Sequence, residues 1–427
     1  IIIVASVILV VLLSIGIYQL ASRYNHGNLN AQNYPGYTQN SALNNSGYSR
    51  GSQGYSNQNN YGSQGQQIAN VGDGINANAG SLPDCSGTSL LDFSPIAVNS
   101  LTGIEAMGHM NGEHVLPDQA DHIYLNTNQP QAVYSPGNVT VLGVVAENGT
   151  TGRENSSYVV LFSPCKSVMF AFQMVNVSDK ILNAIAGQSP VSCQGGMVAN
   201  ICSYALNLSF QSGEQMGTSA SEGIDFAAAD VRTQPLAFID QGEFTGFMVD
   251  SYLHAVCPLD YFDNATKGTL YGKITMKNQG ANGIPACGIT MQDLPGTAQG
   301  NWYLQNATMS GNYQGLNIPS LLAIVHSNLD ASLGEISAGS DLIPSTDLGA
   351  QMTFTPLSSG LINREPSQIT SDGNVYCFDG AVGIGANGNE GHVDIQMTDS
   401  VTMKVDYSSG VCPATPTLSS SALVYTR

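Results

Sequence analysis

The first 21 positions, Ile1 to Ala21 (IIIVASVILVVLLSIGIYQLA), contain no charged residue, and the first charge is Arg23. Apolar side chains would face every direction of a helix drawn through this run. Such a helix must be buried on all sides, by lipid or by its own copies. About 21 residues at 1.5 Å each span roughly 31 Å, the thickness of a bilayer core. Residues 1–23 are therefore read as a hydrophobic helix, a filament core or a membrane anchor. Its apolar surface is Ile1, Ile2, Ile3, Val4, Val7, Ile8, Leu9, Val10, Val11, Leu12, Leu13, Ile15, Ile17 and Leu20. From 24 to 82 the pattern gives way to a linker of Asn, Gln, Gly, Ser and Tyr. Repeats such as Gly51-Ser52-Gln53-Gly54-Tyr55 and Tyr61-Gly62-Ser63-Gln64-Gly65 recur there. In isolation this composition buries too little apolar surface to offset chain entropy. Tyr and Asn ladders stack well when copies repeat.

From about Pro83 short β-type runs alternate with Gly, Asn, Asp and Pro. Val139 to Val145 follows the turn Pro136-Gly137-Asn138, and Tyr158 to Phe162 and Val168 to Val175 read as further strands. Val393, Ile395 and Met397 alternate with polar neighbours, as do Val401, Met403 and Val405. Thr398-Asp399-Ser400 joins the two runs as a hairpin. Helical signals are few. Ser178 caps a run through Ile181, Leu182 and Ile185 that Gly187 stops, and a second helix is expected near Asn264 to Ile274. The expected fold is mostly β, with two β-rich, disulfide-stapled domains over 83–250 and 251–427 and one long N-terminal hydrophobic α-helix. Pro295-Gly296 and Gly300 mark tight loops, and Trp302 is expected to anchor a core.

Charge narrows the function classes. Twelve Lys and Arg against 31 Asp and Glu give a net charge of −19, and only 10 % of residues are charged, against about 25 % in an ordinary soluble domain. An acidic chain offers no basic face to phosphate, so no nucleic-acid partner is expected. Within the first 80 residues only Arg23, Arg50 and Asp73 are charged, so the negative charge belongs to the β-rich part.

Eight cysteines, Cys85, Cys165, Cys193, Cys202, Cys257, Cys287, Cys377 and Cys412, occur without a CxxC spacing. This excludes a zinc ribbon and a thioredoxin motif and points to four disulfides in an exported protein. Eight cysteines allow 105 pairings. Proximity suggests Cys193 with Cys202, Cys257 with Cys287, and Cys377 with Cys412.

Residue 1 is not Met and no basic stretch precedes the apolar run, so the chain is read as cut just before it. Ordinary signal peptidase cuts after such a run. The segment resembles the mature N-terminus of type IV pilins, most of all the archaeal kind. In bacterial pilins the fifth mature position is usually Glu, whereas here it is Ala5, a departure that favours the archaeal branch. The resemblance implies a helix that rests in the membrane before assembly and then packs with copies of itself in a helical filament. A plain membrane anchor is the alternative.

A second resemblance covers about Met107 to Val231. Ala132 to Val145 (AVYSPGNVTVLGVV) looks like the strand–turn–strand that opens the sheet of lysostaphin-type (LytM) zinc endopeptidases, and Gly213 to Thr218 (GEQMGT) like a later turn and strand. The family's first metal motif, His and then Asp four positions on, is matched by His122, but Asn126 stands at the Asp position. In place of the HLHF-like motif stand Gly223-Ile224-Asp225-Phe226, with Asp225 where a zinc histidine belongs. One imidazole, one amide and one carboxylate make a poor zinc site. The resemblance implies the fold without its catalysis, with no cofactor. His122 and Asp225 remain the weak metal candidates.

His109, His114 and His122 lie close together with Glu113, Asp118 and Asp121, but their spacings match neither HExxH nor a zinc finger. Asp73 to Asn78 (DGINAN) suggests calcium by ligand type and lacks the closing Glu of an EF loop. No G-x-S-x-G elbow and no P-loop occur. Glycosylation candidates are Asn44, Asn138, Asn148, Asn155, Asn176, Asn207, Asn264 and Asn306. No activity attaches to His254–Phe262 or Cys287–Leu304. The functional expectation is a non-enzymatic subunit of an extracellular, pilus-like filament displaying β domains for adhesion to surfaces or glycans. The alternative is a membrane-anchored LytM-like peptidase or glycan-binding protein.

Overall fold

A computed structural model of the chain describes residues 78–110, 115–117, 121–147, 158–195, 200–244, 252–307, 318–344, 349–382 and 391–427. The N-terminal helix, nearly all of the low-complexity stretch, and Asn44, Asn148 and Asn155 lie outside the described residues. Among the described residues no helix is long and apolar enough to cross a membrane.

The fold is mostly β and contains two sheets. The first is built from β1 (Gly103–Glu105), β2 (His122–Asn126), β3 (Ala132–Tyr134), β4 (Val139–Glu147), β5 (Tyr158–Cys165), β6 (Val168–Val177), β7 (Ser192–Gly195), β8 (Asn200–Phe210), β9 (Gln215–Ser219) and β10 (Gly223–Asp230). Its order is β1-β2-β10-β6-β5-β4-β8-β7, and β9 pairs with both β3 and β6. The second sheet uses β11 (Gly300–Leu304), β12 (Leu321–His326), β13 (Gly334–Gly339), β14 (Gly349–Phe354), β15 (Tyr376–Asp379), β16 (Ala381–Val382), β17 (Gly391–Met397), β18 (Thr402–Ser409) and β19 (Leu423–Thr426). Its order is β15-β17-β18-β19-β11-β12-β13-β14-β16. All of these pairings are antiparallel, so alternate side chains face opposite sides.

The strands read from alternation all form. The 393–405 hairpin is β17 paired with β18, with Ile395 opposite Val405. Helix α1 (Asp179–Ala186) begins after Ser178, ends at Gly187 and buries Ile181 and Ile185. Helix α2 (Asn264–Tyr271) is capped by the Asp263 carboxylate, which accepts the backbone N–H groups of Ala265 and Thr266.

The first core stacks Phe162, Phe170, Phe172 and Phe226 with ring centroids 4.7–5.9 Å apart. Ala255, Leu259, Tyr261, Phe262, Leu270 and Cys287 pack into the same core. Residues beyond the sequence division at 250 therefore contribute to the first core. The reason is polar as well as apolar. Tyr261 Oη donates to Asp230 Oδ2 at 2.5 Å, and Arg232 grips the same carboxylate with two hydrogen bonds. The second core surrounds Trp302, which is fully buried and donates Nε1–H to Ala298 O at 2.9 Å. The Arg427 guanidinium lies 4.1 Å over its ring.

Three disulfides are described. Cys85–Cys165 and Cys257–Cys287 staple the first body, and Cys377–Cys412 the second. The last two are pairings that proximity suggested. Cys202 is also disulfide-bonded, and the strand register sets the backbone of Cys193 opposite it.

One segment has a foot in each body. Met110 and Leu116 pack on Ala323 and Val325 of β12, while Val115 packs on Tyr303 and Leu321. Asn328 Nδ2 donates to Gly108 O at 2.8 Å. Gly108 has φ +73°, and a Cβ there would stand 2.2 Å from Ile289 O. Only glycine fits both the left-handed backbone and the close approach. Gly108→Ala is expected to cost about 3 kcal/mol or more in urea unfolding. Gly187→Ala, where nothing lies within 4 Å, should change stability by about 0.5 kcal/mol or less. Equal effects at the two positions would refute the tight-fit account.

Candidate functional site: a sealed histidine–carboxylate cluster

Strand register across the first sheet gathers polar residues from distant parts of the chain. Glu105 on β1 stands opposite Tyr124 on β2, Tyr124 opposite Asp225 on β10, and Asp225 opposite Gln173 on β6. Directly paired residues share a face. Glu105, His122, Tyr124, Asn126, Asp225 and Gln173 therefore form one polar stripe across four strands. Their alternates Ile104, Ile123, Leu125, Phe172, Ile224 and Phe226 point into the first core. The polar face is the exception to be explained, since a sheet buried on both sides is ordinarily apolar on both.

His109 completes the cluster from the segment before β2. Its ring packs edge-on against Tyr124 at 4.2 Å and lies 6.2 Å from that of His122. His109 Nδ1 donates to Ala106 O at 2.7 Å. Burial, reinforced by the neighbouring His122, pushes its pKa down to about 3, so the ring is neutral. His122 faces two carboxylates, with Nδ1 3.3 Å from Asp121 Oδ1 and Nε2 3.9 Å from Asp225 Oδ2. Burial pushes Asp225 up to about 6. His122 opposes that shift, and the carboxylates of Asp121, Glu222 and Glu105 add to it.

His122 and Asp225 are thus brought side by side. Asn126 is not gathered with them, because its amide donates to Glu105 Oε1 at 2.9 Å. Among the described residues no third ligand atom comes within 4.8 Å of both His122 and Asp225. His114, Glu113 and Asp118 lie outside the described residues, whereas His109 and Asp121 join the cluster. Glu105, Tyr124 and Gln173 carry no local sequence signal. What places them is strand register between segments up to 120 residues apart.

Access decides what the cluster can do. His109 and His122 are each 1 % exposed and Asp225 is 4 % exposed, so no substrate reaches them in this conformation. Open clefts lie elsewhere. One is lined by Asp92, Phe93, Tyr134, Thr266 and Thr269, another by Asn176, Lys180, Gln215 and Thr218. The side chains of Asn138, Asn176, Asn207, Asn264 and Asn306 are all exposed. No family model matches the chain, and no curated protein matches it.

The two titrations have opposite signs. Asp225 is held protonated above its ordinary range, so its contribution is full below about pH 3.8 and is lost as pH rises to about 6. Asp225→Asn should therefore stabilise the protein at pH 7 by up to about 3 kcal/mol, with the gain vanishing near pH 4. His109 is held neutral, so its contribution is full above about pH 6.5 and is lost as pH falls towards 3. His109→Gln should flatten the loss of stability between pH 6.5 and 4. Urea unfolding of both variants from pH 4 to 8 checks both signs. Parallel pH curves for wild type and variants would contradict them.

Proposed function

We propose that this chain is a non-enzymatic structural subunit of an extracellular filament. It polymerises through residues 1–23 and displays its β bodies outward for contact with surfaces or glycans. The observation that carries the reading is the uncharged apolar run Ile1–Ala21, joined to an acidic, disulfide-stapled β part. Such a run is stable only where water is excluded, and packing against copies of itself excludes water along its whole length. The Asn/Gln/Gly/Ser/Tyr stretch that follows is suited to order between stacked copies. Disulfides suit an oxidising, extracellular compartment. Net negative charge on the outward part keeps finished assemblies apart.

The burial of His122 and Asp225 supports this reading over the peptidase alternative, since a hydrolase of that type needs a metal open to water and substrate.

Detergent removal from the purified full chain should yield filaments visible by negative-stain electron microscopy. Leu9→Lys should abolish them without changing the far-ultraviolet circular dichroism of the β part. Recovery of monomers bound to lipid vesicles, with no filament at any concentration, would overturn the assembly reading in favour of a plain anchor.

A further inference from the structure

The second body holds a cluster that the filament reading does not use. On β15 and β17, Cys377 stands opposite Asp394 and Asp379 opposite His392. These four side chains therefore share the face away from Phe378, Val393 and Ile395, which fill the second core. Residues 410–412 close over them. His392 Nδ1 donates to Gly410 O at 2.9 Å, and Cys412 N–H donates to Asp379 Oδ2 at 2.8 Å. Cys377, His392 and Asp394 are all buried.

Two features of this cluster suit a cation. A carbonyl only accepts, so His392 Nδ1 carries the proton of the bond to Gly410 and Nε2 is the nitrogen turned towards Cys377 and Asp394. Nε2 then faces Asp394 Oδ2 at 3.4 Å. Asp394 is 4 % exposed, and its other oxygen, Oδ1, has no hydrogen-bond partner. A histidine whose Nδ1–H is held by a backbone carbonyl, with Nε2 turned towards other ligand-type side chains, is the usual arrangement of a metal ligand. One ligand atom each from Cys377, His392 and Asp394 lies within 4.8 Å of the other two. Tetrahedral zinc at about 2.0–2.3 Å from each ligand needs them about 3.3–3.8 Å apart, so the closure required is at most about 1.5 Å. What blocks the site is the Cys377–Cys412 disulfide, which occupies the sulfur.

We propose that Cys377, His392 and Asp394 form a latent transition-metal site of the zinc class, closed by the Cys377–Cys412 disulfide and opened by its reduction. Thiolate, imidazole and carboxylate together suit Zn²⁺. A phosphine reductant breaks the S–S bond with two electrons. Each sulfur takes a proton, and the phosphine becomes its oxide with oxygen from water. Zn²⁺ then displaces the Cys377 thiol proton to solvent.

The test uses Cys412→Ser in the full chain in detergent, which frees Cys377 without any reductant. After incubation with Zn²⁺ and gel filtration, metal analysis should find about one zinc per Cys412→Ser chain beyond that in oxidised wild type. Co²⁺ in its place should give a thiolate-to-cobalt charge-transfer band. Adding His392→Ala or Asp394→Asn should weaken zinc binding by at least about tenfold. A Cys412→Ser chain with wild-type circular dichroism and no added zinc would overturn the proposal. So would zinc binding that is indifferent to His392→Ala. If Cys412→Ser fails to fold, phosphine-reduced wild type is compared with phosphine-reduced His392→Ala instead. Less zinc in the variant supports the site, and equal zinc overturns it.

Discussion

The architecture of the first body depends on one constraint: the β2–β10 pair is buried on both faces. Antiparallel pairing sends Ile123, Leu125, Ile224 and Phe226 to one side, and His122, Tyr124 and Asp225 to the other. The apolar side is satisfied by the aromatic stack. The polar side is covered by the segment carrying His109, whose ring lies on Tyr124. Burying imidazoles and carboxylates is costly unless their charges are lost or matched. The cluster takes the first course at His109, held neutral, and only in part at Asp225, whose proton is retained up to about pH 6 and whose charge above that faces His122.

The same covering segment joins the two cores. Met107 N–H donates to Cys287 O and Asn328 Nδ2 to Gly108 O, while Met110, Val115 and Leu116 press on β11 and β12 of the second sheet. Residues 252–287 close the first body from the other direction, with Tyr261 on Asp230 and a disulfide linking Cys257 to Cys287. The two sheets are thus connected by packed side chains as well as by the chain itself.

Much of this was legible in the sequence where the signal is local. Short β-type runs at Val139–Val145 and Tyr158–Phe162 and alternation across Val393–Val405 marked strands, because turn residues bound the former and a two-residue period defines a buried face in the latter. Ser178 and Gly187 bound helix α1 at the expected places, although the Ser178 side chain makes no capping hydrogen bond. The packing of 252–287 on the first core was not legible, because this stretch is made of short turns and one eight-residue helix without a strong period. What ties it to the first core is a hydroxyl on a distant carboxylate. The polar stripe was half legible. His109, Asp121, His122 and Asp225 stood out as ligand types, but Glu105, Tyr124 and Gln173 are placed only by register among β1, β2, β10 and β6. Composition carries no information about that register.

The Cys85–Cys165 disulfide sets a load path. In the first sheet β5 and β6 are interior strands, with β10 on one side and β4 on the other. Tension arriving along the chain from its N-terminal side reaches Cys85 and passes through the sulfur bridge to Cys165, at the end of β5 and beside the start of β6. The pull therefore enters the middle of the sheet, where several strands share it and must slide past one another to fail. Without the bridge, the same tension would fall one after another on the hydrogen bonds of Leu90 and Leu91 to Tyr261 O and of Asp92 and Phe93 to Pro136 O, and then on the three-residue pairing of β1 with β2. A single covalent link thus changes the response to force from unzipping to shear.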